Sequence, residues 1–347
     1  YRTQQYRLAE DIAFTELERR PYDDEMHLRF SNSVLARFNS VEVGQTHFTR
    51  GVLDGRERIG EVGVWLSPRL RLSFDVSHID QGLHAEGVLA TVPAHDTVYG
   101  MTALFRHAIG ETRFTVFHRD ALAEFTGWRL TYGRPLGPRI SGRVGLAYND
   151  RALETTTLLV GGVRDRAFVG ADYLFSKREY ITGELSADRY YTQGERTFIG
   201  SGQSLTWELG HRVRTEYPDL NVRLAGSFNR YNQSGTGDVG TSVLVPGGAV
   251  PTAAFFLPSS FAVYGIYTGF GMGYRDTYTR AIRPFVDIGV SHNTVTGQGY
   301  GAILGASGSV IGADRLTLYA STGRGGNGTN ELSREVGLRY MYMFDRF

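Results

Sequence analysis

From about residue 39 onward, apolar and polar side chains alternate with a period of two. In residues 70–77, Leu70, Leu72, Phe74 and Val76 form one row and Arg71, Ser73, Asp75 and Ser77 the other. Ile140, Val144, Leu146 and Tyr148 oppose Arg139, Ser141 and Arg143 in the same way, and Val222, Leu224 and Phe228 oppose Asn221, Arg223, Ser227 and Asn229. Successive side chains of a strand point to opposite faces, so each such segment reads as a strand with one apolar and one polar face. Sixteen strands are expected, near 40–51, 57–67, 69–80, 97–108, 112–121, 123–133, 139–149, 166–176, 179–190, 198–214, 219–231, 262–275, 282–293, 297–310, 315–323 and 332–346.

The connections alternate in length. Short turns fall at Ser67–Arg69, Ile109–Glu111, Arg134–Pro138, Lys177–Glu179, Tyr217–Asp219, Thr277–Arg280 and Gly312–Asp314. Longer Gly-, Asn-, Asp- and Thr-rich links run over 81–95, 149–164, 192–195, 233–260 and 323–330. Short turns on one rim, long loops on the other and strands of ten or more residues are the signature of an all-β transmembrane barrel, antiparallel and up-and-down. In lipid every backbone polar group must be satisfied internally, and a strand wall achieves this only when closed. Aromatic residues near strand ends (Tyr99, Trp128, Tyr132, Tyr173, Tyr190, Tyr264, Tyr340) fit interfacial girdles and argue against a soluble sandwich.

Residues 1–36 follow another period. Leu8, Ala9, Ile12, Ala13 and Leu17 fall at helical spacing, Arg19-Arg20-Pro21 closes that helix, and Asp23-Asp24 suit the start of a second. The expected domains are a periplasmic helical segment (1–36) and an outer-membrane barrel (37–347). Tyr1 opens within a helical pattern, so the chain is expected to be the C-terminal part of a longer secreted precursor.

Composition narrows the chemistry. The 347 residues hold 44 Gly, 20 Phe and 20 Tyr with a net charge of +1, and the absence of Cys removes disulfide, zinc-thiolate and Cys-nucleophile chemistry. His27, His47, His78, His84, His95, His107, His118, His211 and His292 show no HExxH and no close ligand spacing, so no metal or cofactor is expected. There is no GxSxG, and Gly323–Gly328 lacks the Lys-Ser/Thr of a phosphate loop, so catalysis is not expected; interrupted basic patches argue against nucleic acid.

Sixteen strands about 4.8 Å apart and tilted about 40° enclose a backbone diameter of about 30 Å, wide enough for an extended sugar chain. The inward row is expected to carry Arg71, Arg113, Arg139, Arg143, Arg223, Arg283 and Arg315, the acids Asp75, Glu184, Asp188 and Asp287, and the aromatics Tyr180, Phe285 and Tyr319. These acids and rings are candidates for a polymer path, since carboxylates attract or hydrogen-bond a polymer and rings stack on sugars; cross-strand bracing of the wall is the competing role. In 233–260, Val243-Leu244-Val245 and Phe255-Phe256-Leu257 are too apolar for a solvated loop, so this segment is the candidate gate, folded over or into the lumen, or else an outer cap.

Two resemblances follow from these residues. Ala9, Leu17 and Pro21 are similar to the second helix of a tetratricopeptide repeat, and Pro21–Leu28 to entry into the next. The ending, with Tyr340, Tyr342 and Phe344 in one row and Phe347 out of phase, resembles the signal read by the barrel assembly machinery. A helical repeat feeding a sixteen-strand barrel resembles the exopolysaccharide export porins, most closely those of the Pel polysaccharide through 18–28 and Gly337–Tyr340; the cellulose and poly-N-acetylglucosamine exporters share the plan. The resemblance implies passive passage of a biofilm polysaccharide across the outer membrane. For Pel that polymer is partly deacetylated and cationic, and the implied partners are a periplasmic lipoprotein ring and a polysaccharide deacetylase. A general diffusion porin and an outer-membrane barrel hydrolase are the alternatives.

Overall fold

A computed structural model describes residues 12, 15–23, 26–27, 38–85, 87–326 and 328–344. Sixteen strands form one closed antiparallel barrel in which every strand pairs with its sequence neighbours and the last pairs with the first. They are β1 (Asn39–Arg50), β2 (Leu53–Ser67), β3 (Leu70–Leu83), β4 (His95–His107), β5 (Gly110–Asp120), β6 (Glu124–Pro135), β7 (Ile140–Arg151) and β8 (Gly162–Leu174). The second half comprises β9 (Glu179–Thr192), β10 (Phe198–Arg214), β11 (Leu220–Asn232), β12 (Phe261–Phe270), β13 (Arg283–Asn293), β14 (Gly297–Gly308), β15 (Asp314–Arg324) and β16 (Leu332–Phe344). Closure runs from Asn39↔Phe344 to Arg50↔Ser333, leaving no open edge.

Which row faces outward follows from exposure. Phe74, Phe228, Leu304 and Val336, spread around the wall, are 55–61% exposed, a state that water would penalise and hydrocarbon favours. Tyr99, Tyr148, Tyr264 and Tyr300 flank this apolar belt toward the long-loop rim, and Phe105, Tyr132, Phe270 and Tyr342 toward the short-turn rim. Among the described residues, no helix is long and apolar enough to cross a membrane; here strands do so.

Several expectations need correction. β2 starts at Leu53 rather than 57, because Gly51, at φ +58°, lets residues 51–52 close a tight hairpin. β12 stops at Phe270 rather than 275: Gly271 turns the chain at φ +68°, and the expected short turn is a twelve-residue link, 271–282. The 149–164 link contains a helix, α1 (Thr156–Gly161), and β7 and β8 reach into the span expected to be loop. Tyr190 faces inward, fully buried, rather than joining a girdle. Residues 15–19 are helical, but the expected helix through Leu8 and Ala9, most of the repeat-like segment and Phe347 lie outside the described residues.

Candidate translocation lumen

Strand phase puts Arg71, Asp75, Arg113, Arg143, Tyr180, Glu184, Asp188, Arg223, Arg283, Phe285, Asp287, Arg315 and Tyr319 on the inner wall, as the alternation predicts. Arg139 lies instead in the β6–β7 turn, its guanidinium donating to Phe175 O at 3.4 Å.

The inward aromatic rings lie flat along the wall because their cross-strand partners are glycines. Tyr180 pairs with Gly210, Tyr267 with Gly289, Phe285 with Gly305 and Tyr319 with Gly337. A Cβ on those glycines would stand 2.2, 2.0, 2.4 and 2.5 Å from the facing ring, well inside van der Waals contact. Each missing side chain is therefore the space the ring occupies, and the bore stays open. Arginines cover the rings' other faces: Arg212 lies 5.1 Å from the Tyr180 centroid, and Arg275 lies 5.8 and 5.5 Å from those of Phe285 and Tyr319.

Three of the four predicted acids are held by arginine. Arg223 Nη2 donates to both Asp287 oxygens at 2.6 Å; Glu184 accepts from Arg166 at 2.8 Å and Arg143 at 3.3 Å; Asp188 lies 3.9 Å from Arg166. Asp75 differs. It lies over Gly100, takes no direct ion pair among the described residues, and opens with Glu61, Arg71, Arg113 and Arg129 into a lumenal recess of about 450 Å³.

The long-loop mouth is packed from within. The 233–260 segment carries a 3-10 turn (Gly240–Leu244) and a helical turn, α2 (Ala253–Phe256). Leu158, Phe256 and Leu257 pack with the inward Tyr190 and Ile199, while Leu159, Val160 and Leu244 pack with Leu53 and Leu89. Leu244, Phe256 and Leu257 are thus buried as their apolarity predicts; Val243 is exposed, and Val245 and Phe255 are partly buried. Two hydroxyls lock α1 to α2: Thr155 Oγ1 donates to Phe256 O at 2.6 Å and Thr157 Oγ1 to Phe255 O at 2.7 Å.

The C-terminal carbonyls of α1 are also satisfied by the wall. Leu159 O accepts from Arg119 Nη2 at 2.9 Å, and Val160 O accepts from Gln193 Nε2 at 2.7 Å. Arg119 forks onto Asp96 at 2.9 and 2.8 Å, with both side chains only 2% exposed. Thr155, Thr157, Arg119, Asp96 and Tyr267 are site residues that the sequence did not single out. Their roles depend on cross-strand register and on a helix too short to leave a periodic signal.

The short-turn mouth is narrowed by 271–282 and the N-terminal segment. Tyr278, Leu17 and Met343 bury one another. Arg280 Nη2 donates to Glu18 Oε1 at 3.1 Å, and the Arg280 N–H to His27 Nε2 at 2.9 Å. Tyr278 Oη donates to Gly312 O at 3.1 Å, and burial pushes its pKa up. Arg315 donates to Asp276 O, so this lumenal cation anchors the turn.

Comparison with known proteins agrees with this architecture. A solved structure described as a bacterial polysaccharide outer membrane secretin superposes with a TM-score of 0.62 at 9% identity, covering 89% of this chain and 99% of that one. Pseudomonas aeruginosa OccK11 (OpdR) gives 0.47 at 9% identity over 89% and 96% of the two chains. No curated protein matches in sequence. The profile of the family described as "PelB, C-terminal beta barrel domain" matches residues 35–343, nearly the whole barrel, and the chain therefore belongs to the PelB C-terminal outer-membrane β-barrel family.

Proposed function

We propose that this barrel is the outer-membrane conduit for a secreted exopolysaccharide, with the long-loop rim at the cell surface and the N-terminal segment in the periplasm. The observation that carries the reading is a polar bore whose rings are laid flat over glycines and whose mouth is packed by the chain's own loop segments. A diffusion porin gains nothing from sealing its mouth with a packed apolar plug. A polymer conduit does, since it must hold back small solutes when no chain is threaded.

Pel, partly deacetylated and cationic, is the cargo that family membership favours, and a lipoprotein ring and a deacetylase are the partners that go with it. With Asp188, Glu184 and Asp287 engaged by arginine, the predicted carboxylate left to a cationic sugar is Asp75; Glu61, beside it in the recess, pairs with Arg71 at 3.8 Å. Neutralising all four predicted acids together would also take both carboxylates from Arg166 and one partner each from Arg143 and Arg223, so the cleaner variant is Asp75→Asn. The test is surface polysaccharide in cells whose export depends on this barrel, beside the amount of folded barrel in the membrane. The variant is expected to lower export of a cationic polymer several-fold and to leave a neutral polymer unchanged. Equal export of both contradicts the cationic reading, and failure of the parent barrel to support any polymer export contradicts the conduit.

A further inference from the structure

On the outer face of the barrel, at the long-loop rim, the β3–β4 register places Asp80 opposite His95 and His78 opposite Thr97. Asp80 Oδ1 lies 3.2 Å from His78 Nε2 and 3.0 Å from His95 Nδ1, and the three ligand atoms lie within 4.8 Å of one another. The imidazoles stack at 5.5 Å with 23° between their planes. We propose that His78, Asp80 and His95 bind a borderline-soft divalent transition metal, with Zn²⁺ as the probe.

Chemistry and geometry agree. Two imidazole nitrogens and a carboxylate oxygen form a three-ligand zinc set with a fourth position open to water or an anion. The ligating oxygens and nitrogens of a tetrahedral zinc are about 3.3 Å apart at bond lengths of about 2.0 Å; the two carboxylate–imidazole distances here are 3.2 and 3.0 Å, and the two imidazole nitrogens lie within 4.8 Å of each other. The supports of such a site are also in place. His78 Nδ1 meets Thr97 Oγ1 at 2.8 Å, the bond that would fix the tautomer leaving Nε2 free to ligate. Arg58 Nη1 lies 3.2 Å from Asp80 Oδ2, holding the carboxylate so that Oδ1 faces the rings. All three ligands sit on paired strands, which hold them more closely than a loop would.

The site also has a place in the plug reading on which this consequence rests. His78 and Asp80 end one stem, and His95 begins the other, of the 84–94 loop. That loop packs Leu89 against the plug and donates the Ala90 N–H to Leu244 O at 2.9 Å. A metal joining the stems would hold the loop, and with it the seated plug.

The test is Zn²⁺ titration of the purified barrel in detergent by calorimetry, with Co²⁺ absorption as the spectroscopic signature. The parent is expected to bind one Zn²⁺ saturably and to give tetrahedral Co²⁺ bands. His95→Ala and His78→Ala are expected to weaken binding at least ~10-fold, and His211→Ala, near the opposite rim, to leave it unchanged. All three side chains lie on the barrel's exterior, so folding is verified independently by heat-modifiable migration. Absence of saturable binding in the folded parent, or binding indifferent to His95→Ala, overturns the site. Binding that leaves plug closure unaltered overturns only the coupling.

Discussion

Replacing Thr155 and Thr157 by valine tests the plug at its seat. The substitutions keep shape and remove the hydroxyls that donate to Phe256 O at 2.6 Å and Phe255 O at 2.7 Å, and at Thr155 also the cap that accepts from the Leu158 N–H at 3.1 Å. Each loss leaves a carbonyl short of a donor at about 1–2 kcal/mol, so the pair costs about 2–4 kcal/mol. Since about 1.4 kcal/mol is tenfold in an equilibrium, the displaced fraction rises roughly 30- to 1,000-fold. The plug nevertheless stays seated most of the time. Leu158, Leu159, Val160, Leu244, Phe256 and Leu257 are at most 5% exposed, and burying each contributes about 1.5–3 kcal/mol, a larger sum than the lost hydrogen bonds. Single-channel recording in planar bilayers should therefore show rare, brief openings of the parent becoming far more frequent at unchanged unitary conductance. Deleting residues 236–257, which removes Leu244, Phe256 and Leu257, should raise the open fraction further. Recordings in which both variants match the parent would refute the assignment of this segment as the closure.

Three further outcomes follow from the same wall. Gly289→Val should push Tyr267 off the wall, costing about 1–3 kcal/mol of stability in urea unfolding and lowering conductance in the plug-deleted background; an unchanged conductance would mean that the ring finds another place. Arg119→Met should destabilise by up to about 3–5 kcal/mol because the buried Asp96 keeps only Arg151, at 3.7 Å, and adding Asp96→Leu should not restore it because Arg151 then loses that partner; full recovery in the double variant would contradict this. Phe74→Arg should destabilise the barrel in bilayers by about 2–4 kcal/mol, as an arginine placed against hydrocarbon does, while Ser73→Arg, on the lumenal row, should cost much less.

The strands were legible because the two faces of each meet different surroundings over ten or more residues, so the alternation survives local exceptions. Boundaries failed where the pattern misstates the solvent. Leu53-Asp54-Gly55-Arg56 fell outside the expected strands, yet Asp54 and Arg56 occupy the outward row above the apolar belt. Beyond Phe270 the alternation invites a longer strand, but Gly271 at positive φ ends it. Residues 156–163 are apolar with no strand partner in view because six of them form a helix buried inside the mouth. The inward row was legible; its pairing was not. Whether Asp287 is free or forked by Arg223 depends on which residue lies two strands away, and whether Tyr180 blocks the bore depends on Gly210 across the register. His78 and Asp80 share one strand face, but His95 comes from the next strand and joins them only because Asp80 pairs with His95.

The central claim is that the two rows of each strand face different solvents, hydrocarbon outside and water inside a closed wall. The chain has no cysteine, so single cysteines placed successively from Leu72 to Ser77 along β3 can be probed without background. A charged, water-soluble thiol reagent applied in bilayers to the barrel lacking residues 236–257 should modify positions 73, 75 and 77 and spare 72, 74 and 76. Uniform modification of all six, or modification of the even row alone, would contradict the barrel assignment.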